Sequence, residues 1–160
     1  MGYQALKISI GNLLKSHQQI KSVQFNTPSE WIKRNGQPEY GLACYALNSG
    51  RWQSGMRVYN LTLWFLDLSG REGEFSLEVE NDQLEIANDI VALIRNPENY
   101  DYWMEGDTAN FTIIQEQFED FLSGCEVTME IGVSEAFDRC QVPRGDFNTD
   151  FNSDFSGGIN

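Results

Sequence analysis

The sequence is poor in the side chains that most often catalyse reactions, because it has one histidine and three cysteines. His17 ends the first amphipathic segment, where a histidine interacts favourably with the helix dipole, so we expect a structural role for it. Cys44, Cys125 and Cys140 are odd in number and far apart, which excludes a disulfide framework and the paired spacing of a zinc site. We therefore expect no catalytic residue, no metal and no cofactor, and a protein that is not an enzyme.

Cations are also scarce, because 11 Lys and Arg stand against 24 Asp and Glu and give a net charge of −13. Non-specific DNA binding depends on Lys and Arg replacing the counterions of phosphates, and the few cations here are scattered along the chain. We expect no specific nucleic-acid binding, although an acidic wall suits DNA that slides past without sticking.

Long apolar runs are absent too, since no stretch approaches the roughly 20 residues that a membrane span needs. The first residues, Met1–Ala5, lack the basic and apolar regions of a signal peptide. The sequence therefore predicts no membrane partner and a protein that is made in a cytoplasm.

The hydrophobic residues, 41% of a 160-residue chain, follow helical spacing in two segments. Tyr3–His17 predicts a first helix, and about Asp82–Arg95 predicts a second, with a capping signal at Asp82 and Glu85. An apolar stripe of the second helix should pack on the sheet, namely Leu84, Ala87, Val91 and Ile94, and it is widened by Ile86, Ile90 and Leu93. Strands are predicted at Ser22–Phe25, Gly41–Leu47, Met56–Asp67, Phe75–Glu80, from Phe111, and at Cys125–Val133. The predicted fold class is α+β, a mostly antiparallel sheet of about four to six strands with two main helices packed on one face.

Two stretches between these elements are predicted to be turns or loops. The cluster Asn48-Ser49-Gly50 is typical of a turn, and Gly124 is expected to end the segment that begins at Phe111. The segment Asn99–Asn110 predicts a loop with more aromatic surface than a solvated loop needs. We therefore expect Tyr102 and Trp103 to contact a partner protein.

The most regular alternation in the sequence runs from Cys125 to Val133, where apolar and polar residues follow one another with a period of two. This pattern predicts a strand with one buried face. The intervening residues Glu126, Thr128 and Glu130 should then face solvent or the lumen of an assembly.

The end of the chain changes in composition, because residues 144–160 repeat an Asp-Phe-Asn-Thr/Ser-Asp-Phe unit and then turn to Ser and Gly. The chain is therefore predicted to comprise a single α+β domain, residues 1–143, and a low-complexity C-terminal arm, residues 144–160. Phe147, Phe151 and Phe155 recur every fourth residue, so we expect them to anchor the arm on an adjacent subunit or another protein.

The order of elements resembles that of small phage proteins that terminate tails or join heads to tails. Four segments carry the resemblance, namely Leu84–Ile94, Phe111, Phe118–Ile131 and Cys140–Pro143. They are similar to a pattern in neck and tail proteins of phages of Bacteroidetes, including crAss-like phages, which often have an aromatic residue at the position of Cys125. The resemblance extends over about residues 56–143, and its motifs are structural rather than catalytic.

The resemblance implies a virion structural protein, a ring-forming neck or tail-terminator subunit that joins head and tail around the DNA channel. Its implied partners are copies of itself in a six- or twelve-fold ring and the adjacent neck, portal or tail proteins. Its implied location is the neck or tail of the virion, after assembly in the host cytoplasm.

Two other classes of function stay open at this point. One is a small acidic binding module that occupies a basic nucleic-acid-binding surface as a DNA mimic, and such a protein is a monomer or dimer. The other is a carboxylate or metal enzyme, for which Asp101, Glu105 and Asp107 form the densest acidic cluster outside the arm. Light scattering tests the first alternative, and a metal titration tests the second.

Overall fold

The computed structural model describes residues 1–30, 39–70, 75–96, 101–117 and 121–135. In chain order the long helices and the strands are α1 (Tyr3–Lys15), β1 (Ser22–Phe25), β2 (Leu42–Gln53), β3 (Met56–Leu68), α2 (Ser76–Arg95), β4 (Trp103–Gln117) and β5 (Leu122–Ser134). The predicted arm, its three phenylalanines, the domain boundary and Cys140 all lie outside the described residues. Those expectations therefore stay predictions.

The five strands form one mixed sheet in the order β1-β2-β3-β5-β4. β1 runs parallel to β2, and every other neighbouring pair is antiparallel. The longest ladder joins β3 and β5, which pair residue by residue from Met56 opposite Ser134 to Leu68 opposite Leu122. The predicted α+β class with a mostly antiparallel sheet is confirmed.

Both long helices pack on the same side of the sheet, which we call the front face. Leu6, Ile10 and Leu14 of α1 lie at helical spacing and are fully buried against the sheet. On the sheet itself the core includes Leu63 and Phe65, which have no exposed surface. Burying one such side chain stabilises the fold by roughly 1.5–3 kcal/mol, so this two-layer core is the main source of stability.

The predicted strand Phe75–Glu80 is wrong, because Ser76–Glu80 form the first turns of α2. Phe75, Leu77 and Val79 alternate in the sequence, yet Leu77 is 79% exposed. The residue that faces the sheet is Glu80, whose Oε1 accepts a 2.7 Å hydrogen bond from Ser76 Oγ. Because a carboxylate occupies this buried position, the spacing of apolar residues alone does not reveal the helix here.

The buried stripe of α2 is also rotated from the predicted one. Ala87 and Ile94 are buried as expected, but Leu84 and Val91 are only partly buried at the border of the core. The helix buries these residues most fully: Ile86, Ala87, Ile90 and Ile94. The predicted stripe does pack against the core, but its centre lies on the side of Ile86 and Ile90, and Leu93 is exposed.

β2 continues through the predicted turn at Asn48-Ser49-Gly50 and reverses only at residues 54–55. Leu47 pairs with Leu61 while Ser49 pairs with Asn60, so Asn48 is an extra residue in β2, a β-bulge. The turn-like composition reflects this bulge. Beyond it, Trp52 pairs with Arg57 and therefore lies on the front face, as Tyr59 does.

The predicted loop Asn99–Asn110 is wrong from Trp103 onward, because β4 begins there. The pairing of β4 with β5 skips residues 106–108, between Glu105 and Ala109, and this irregularity removes the alternation that would identify a strand. Gly124 does not end a segment either, since it lies inside β5 opposite Leu66. A glycine in a strand is compatible with a neighbouring backbone that approaches closely.

The opposite side of the sheet, which we call the rear face, is apolar and buried at one end. A second cluster there comprises Leu42, Cys44, Ala46, Trp64, Leu66, Ile114 and Leu122. This arrangement explains why β3 is apolar on both faces, as its sequence indicates. None of the helices in the described ranges combines the length and the apolar character that crossing a bilayer demands.

Candidate interaction surfaces

The alternating residues of β5 divide between the two faces of the sheet. The front-face set is buried, as predicted: Cys125, Val127, Met129, Ile131 and Val133. Glu126, Thr128 and Glu130 point to the rear face, where each is half-buried. The assignment of these three residues to a lumen stays a prediction.

Each rear-face glutamate of β5 has a partner on a neighbouring strand. Trp64 Nε1 donates a 2.8 Å hydrogen bond to Glu126 Oε2. Arg51 of β2 reaches over β3 and forms an ion pair with Glu130. The hydrogen bond to Glu130 raises the pKa of Arg51. The polar end of the rear face therefore has side chains held in place.

A second carboxylate lies beside Glu130, because Glu105 of β4 pairs directly with it. Like charges opposite one another destabilise a sheet. Arg51 offsets this repulsion, and Trp103 Nε1 donates a 2.7 Å hydrogen bond to Glu105 Oε2. Next to this pair is a shallow cavity of about 550 Å³, and its lining includes Asn60, Thr62 and other polar residues. The result is an acidic, hydroxyl- and amide-rich surface.

Tyr102 and Trp103, the predicted partner contacts, are half-buried within their own domain. Tyr102 packs against the front-face core, and burial raises the pKa of its hydroxyl. Trp103 lies over Gly132, where an added Cβ would come within 2.5 Å of the indole ring. Both side chains thus fix β4 to β5, and their contact with a partner stays a prediction.

The exposed apolar surface lies elsewhere on β4, at the edge of the sheet. Among the described strands, β4 has a neighbour on one side only. Phe111 is 60% exposed and Ile113 is 37% exposed on the front face of this edge. Sequence analysis missed this surface, although the charge-free run Thr108–Gln115 is the signal of an unprotected edge strand.

A groove of about 430 Å³ separates this edge from α2. Its walls include Leu84 and Val91 of α2, Phe111 of β4, and Val127 at the base. Leu84 and Val91 are the two stripe residues that the domain core leaves partly exposed. The groove therefore extends the apolar edge of β4 onto the adjoining helix.

The sheet has another open edge in the outer half of β2. β1 pairs with β2 only over Leu42–Tyr45, so Asn48–Gln53 has no partner on that side among the described residues. All six of these residues are exposed, and Trp52 is 72% exposed. The two unpaired edges lie on opposite sides of the sheet.

The predicted acidic cluster is not assembled as a metal site. Asp107 accepts a 2.7 Å hydrogen bond from Arg95 Nη2, whereas Glu105 contacts Trp103. Within the described ranges no three His, Cys, Asp or Glu side chains converge as metal ligands. His17 joins the two helices instead, with Nε2 at 3.0 Å from Asp89 Oδ2.

No protein-family model and no curated protein matches this sequence. The two sheet edges that have no neighbour among the described residues are also the places where Trp52 and Phe111 are exposed.

The thiols of Cys44 and Cys125 should be unreactive in the folded protein. Both are buried, and burial raises the pKa of each from 9.0 to about 12, so almost no thiolate is present at pH 8. In a Cys140→Ser background, Ellman's reagent should modify neither thiol until denaturant is added, and then both. Rapid modification of either thiol in the native protein would contradict the assigned burial.

The same pKa shifts predict that the protein loses stability in alkali. An unfolded chain releases the thiol protons near pH 9, whereas the folded chain retains them up to about pH 12. The stabilisation is therefore complete below pH 9 and is lost as the pH rises from 9 to 12. Urea midpoints measured across that range should fall, and Cys44→Ala should fall less steeply than the parent.

Proposed function

We propose that this protein is a virion structural subunit that assembles with copies of itself into a ring, as a neck or tail-terminator subunit around a DNA channel. The observation that carries the proposal is the edge of β4, which has no neighbouring strand among the described residues. Natural sheets guard such edges with lysine, proline, short strands or a covering element. Here the regular run Ala109–Ile114 has no charge and exposes Phe111 and Ile113.

The rear face supports the same proposal. Its polar end carries Glu105, Glu126 and Glu130 with neighbouring Thr and Asn side chains, and the whole chain has a net charge of −13. A wall of this chemistry repels phosphates and offers no cluster of cations to hold them. DNA can move past such a wall without being gripped, which is what a channel between head and tail requires.

The full-length chain should behave as a closed oligomer in solution. Six subunits of 18.3 kDa give about 110 kDa and twelve give about 220 kDa, so light scattering and mass photometry separate these states from a monomer. Electron micrographs of the same sample should show rings with a central hole. Fluorescence anisotropy should detect no binding to duplex DNA at physiological salt.

A monomer at micromolar concentration would contradict this proposal. A monomer or dimer that instead displaces DNA from a basic DNA-binding protein would favour the acidic mimic. Particles purified from an infected host give the decisive location test, because a ring subunit of the neck or tail should be present in intact virions in the copy number of its ring.

A further inference from the structure

On the basis of the proposed function, we infer that the sheets of successive copies join edge to edge around the ring. In the outer half of β2, Ser49–Gln53 of one copy pair antiparallel with Asn110–Ile114 of β4 in the next, with Trp52 opposite Phe111. The occupant of each open edge is thus a second copy of this chain.

The two edges have the properties of partners. Both edges have a stretch of regular strand that lacks a neighbour among the described residues, and each exposes a large aromatic residue on the front face of the sheet. Aromatic cross-strand pairs are among the stabilising contacts of β-sheets. Because the two edges are different surfaces, their contact is head-to-tail, and a head-to-tail contact gives a ring when its rotation closes on the first copy.

The direction of pairing follows from the topology. β2, β3, β5 and β4 are joined by three successive antiparallel pairs, so β4 runs antiparallel to β2. Rotation about the axis of a channel carries one copy beside the next without inverting it end to end. The β4 strand of one copy therefore meets the β2 strand of its neighbour in antiparallel orientation.

The faces of the two edges agree when Trp52 lies opposite Phe111. With Trp52 opposite Phe111, Arg51 lies opposite Thr112 on the rear face. A shift by two residues would set Arg51 against Ile114, which is buried in the rear-face apolar cluster. In the chosen register the ladder stops before residues 42–45, the part of β2 that β1 already occupies.

Charge argues against the alternative contact between two β4 edges. The outer half of β2 contains the cation Arg51 and no acidic residue, whereas the outer part of β4 contains Glu105 and Asp107 and no cation. A two-fold β4–β4 contact would bring acidic residues toward one another. The groove beside Phe111 additionally offers Trp52 about 430 Å³ of space.

The register sets a stagger that a closed sheet can accommodate. Within one copy, Phe111 pairs with Val127, which pairs with Leu63 of β3, whereas Trp52 pairs with Arg57 of β3. Leu63 and Arg57 are six residues apart, so each copy is displaced from the next by six residues along the strands. Six residues correspond to about 20 Å along a strand, and four strands span about 19 Å across the sheet. These values tilt the strands by about 45°, at the upper end of the roughly 35–45° found in closed barrels. The helices then lie outside and the acidic rear face lines the channel.

The test uses two edge variants of the full-length chain, Trp52→Lys and Phe111→Lys. Each places a charge on one edge and leaves the other edge intact, and both sites are exposed, so both variants should fold. Each alone should lose the ring, with the dissociation constant of the contact raised about 100-fold or more. An equimolar mixture should form a dimer that contains one copy of each, because only one unaltered junction can form.

Leu77→Lys is the matched control, since Leu77 is the most exposed large apolar residue described and borders neither edge; this variant should assemble like the parent. A parent ring that survives both edge substitutions overturns the inference and leaves the proposed function standing. Loss of the ring in Phe111→Lys alone, with no mixed dimer, would indicate contact between two β4 edges. A monomeric parent overturns both proposals.

A covalent test gives the register directly. In a Cys140→Ser background, Gln53→Cys combined with Asn110→Cys places two thiols opposite one another across the proposed junction. Mild oxidation should link the subunits of a ring into a covalent series, and either single variant should give no product larger than a dimer. Absence of the series in an assembled ring would overturn the register.

Discussion

Ile90→Asp should abolish folding. Ile90 has no exposed surface and lies where α2 meets the front face of the sheet, so the new carboxylate would enter the core without a partner. The lost apolar burial and the desolvated charge together cost of order 4 kcal/mol or more. That cost approaches the whole stability of a small domain, which is about 5–15 kcal/mol. Circular dichroism and urea titration measure the loss.

The neighbouring positions on α2 provide controls for Ile90→Asp. Ala92 is exposed, so Ala92→Asp should leave the melting temperature almost unchanged, and half-buried Val91→Asp should fall between the two. Ile90→Val, which removes one methylene, should cost about 1 kcal/mol. If Ile90→Asp and Ala92→Asp melted at the same temperature, the orientation of α2 would be wrong.

Gly124→Ala should be the most damaging single-methyl change in the sheet. A Cβ at this position would lie 1.9 Å from the backbone oxygen of Phe65 on β3, and the glycine has φ +154°. Because the obstacle is backbone rather than a flexible side chain, β3 and β5 must separate locally. We expect a loss of roughly 3 kcal/mol or more in the free energy of unfolding, measured by urea titration.

Gly55→Ala separates steric overlap from backbone strain. Gly55 also has positive φ, at +74°, but nothing lies within 4 Å of an added Cβ. Its substitution should cost only about 1 kcal/mol, the penalty for a side chain in the left-handed region. Equal costs at the two glycines would mean that β3 does not approach Gly124 closely.

The spacing of apolar residues predicts an element correctly where that spacing is regular along the whole element. α1 and β5 follow this rule, because Leu6, Ile10 and Leu14 recur at helical spacing and the buried residues of β5 alternate without interruption. The class of fold follows from such elements. The two-layer arrangement follows as well, because both helices carry a single apolar stripe that needs one face of a sheet.

Local periodicity failed where the backbone departs from regular geometry or where a polar residue is buried. The sequence predicts a loop for the first half of β4, up to Asn110, because residues 106–108 interrupt its pairing, and a strand for the start of α2 because Glu80 occupies a buried position. Asn48 has the composition of a turn but is a bulge. In each case the deciding contact comes from a distant part of the chain.

The order of strands in the sheet was the missing information for the interaction surfaces. The sequence indicates that Glu126 and Glu130 share a face, yet it does not reveal that β4 and the outer half of β2 are edges. In the sequence Phe111 alternates with Ile113 as on any strand. Its side chain lies at the surface only because no described strand lies beyond β4. Edge positions depend on topology, which no local pattern contains.

The bulge at Asn48 decides which residues in the outer half of β2 face the helices and which face the acidic side of the sheet. Every residue from Ser49 to Gln53 lies on the opposite face from the one it would occupy in an unbroken strand, since one extra residue shifts the alternation by one step. A lineage that lost Asn48 would keep Arg51 and Trp52 on their present faces, because Ser49 would then follow Leu47 directly and still lie opposite Asn60. A single deletion that removes the bulge can therefore be inherited silently, whereas a single deletion in a regular strand exchanges the faces of all residues beyond it.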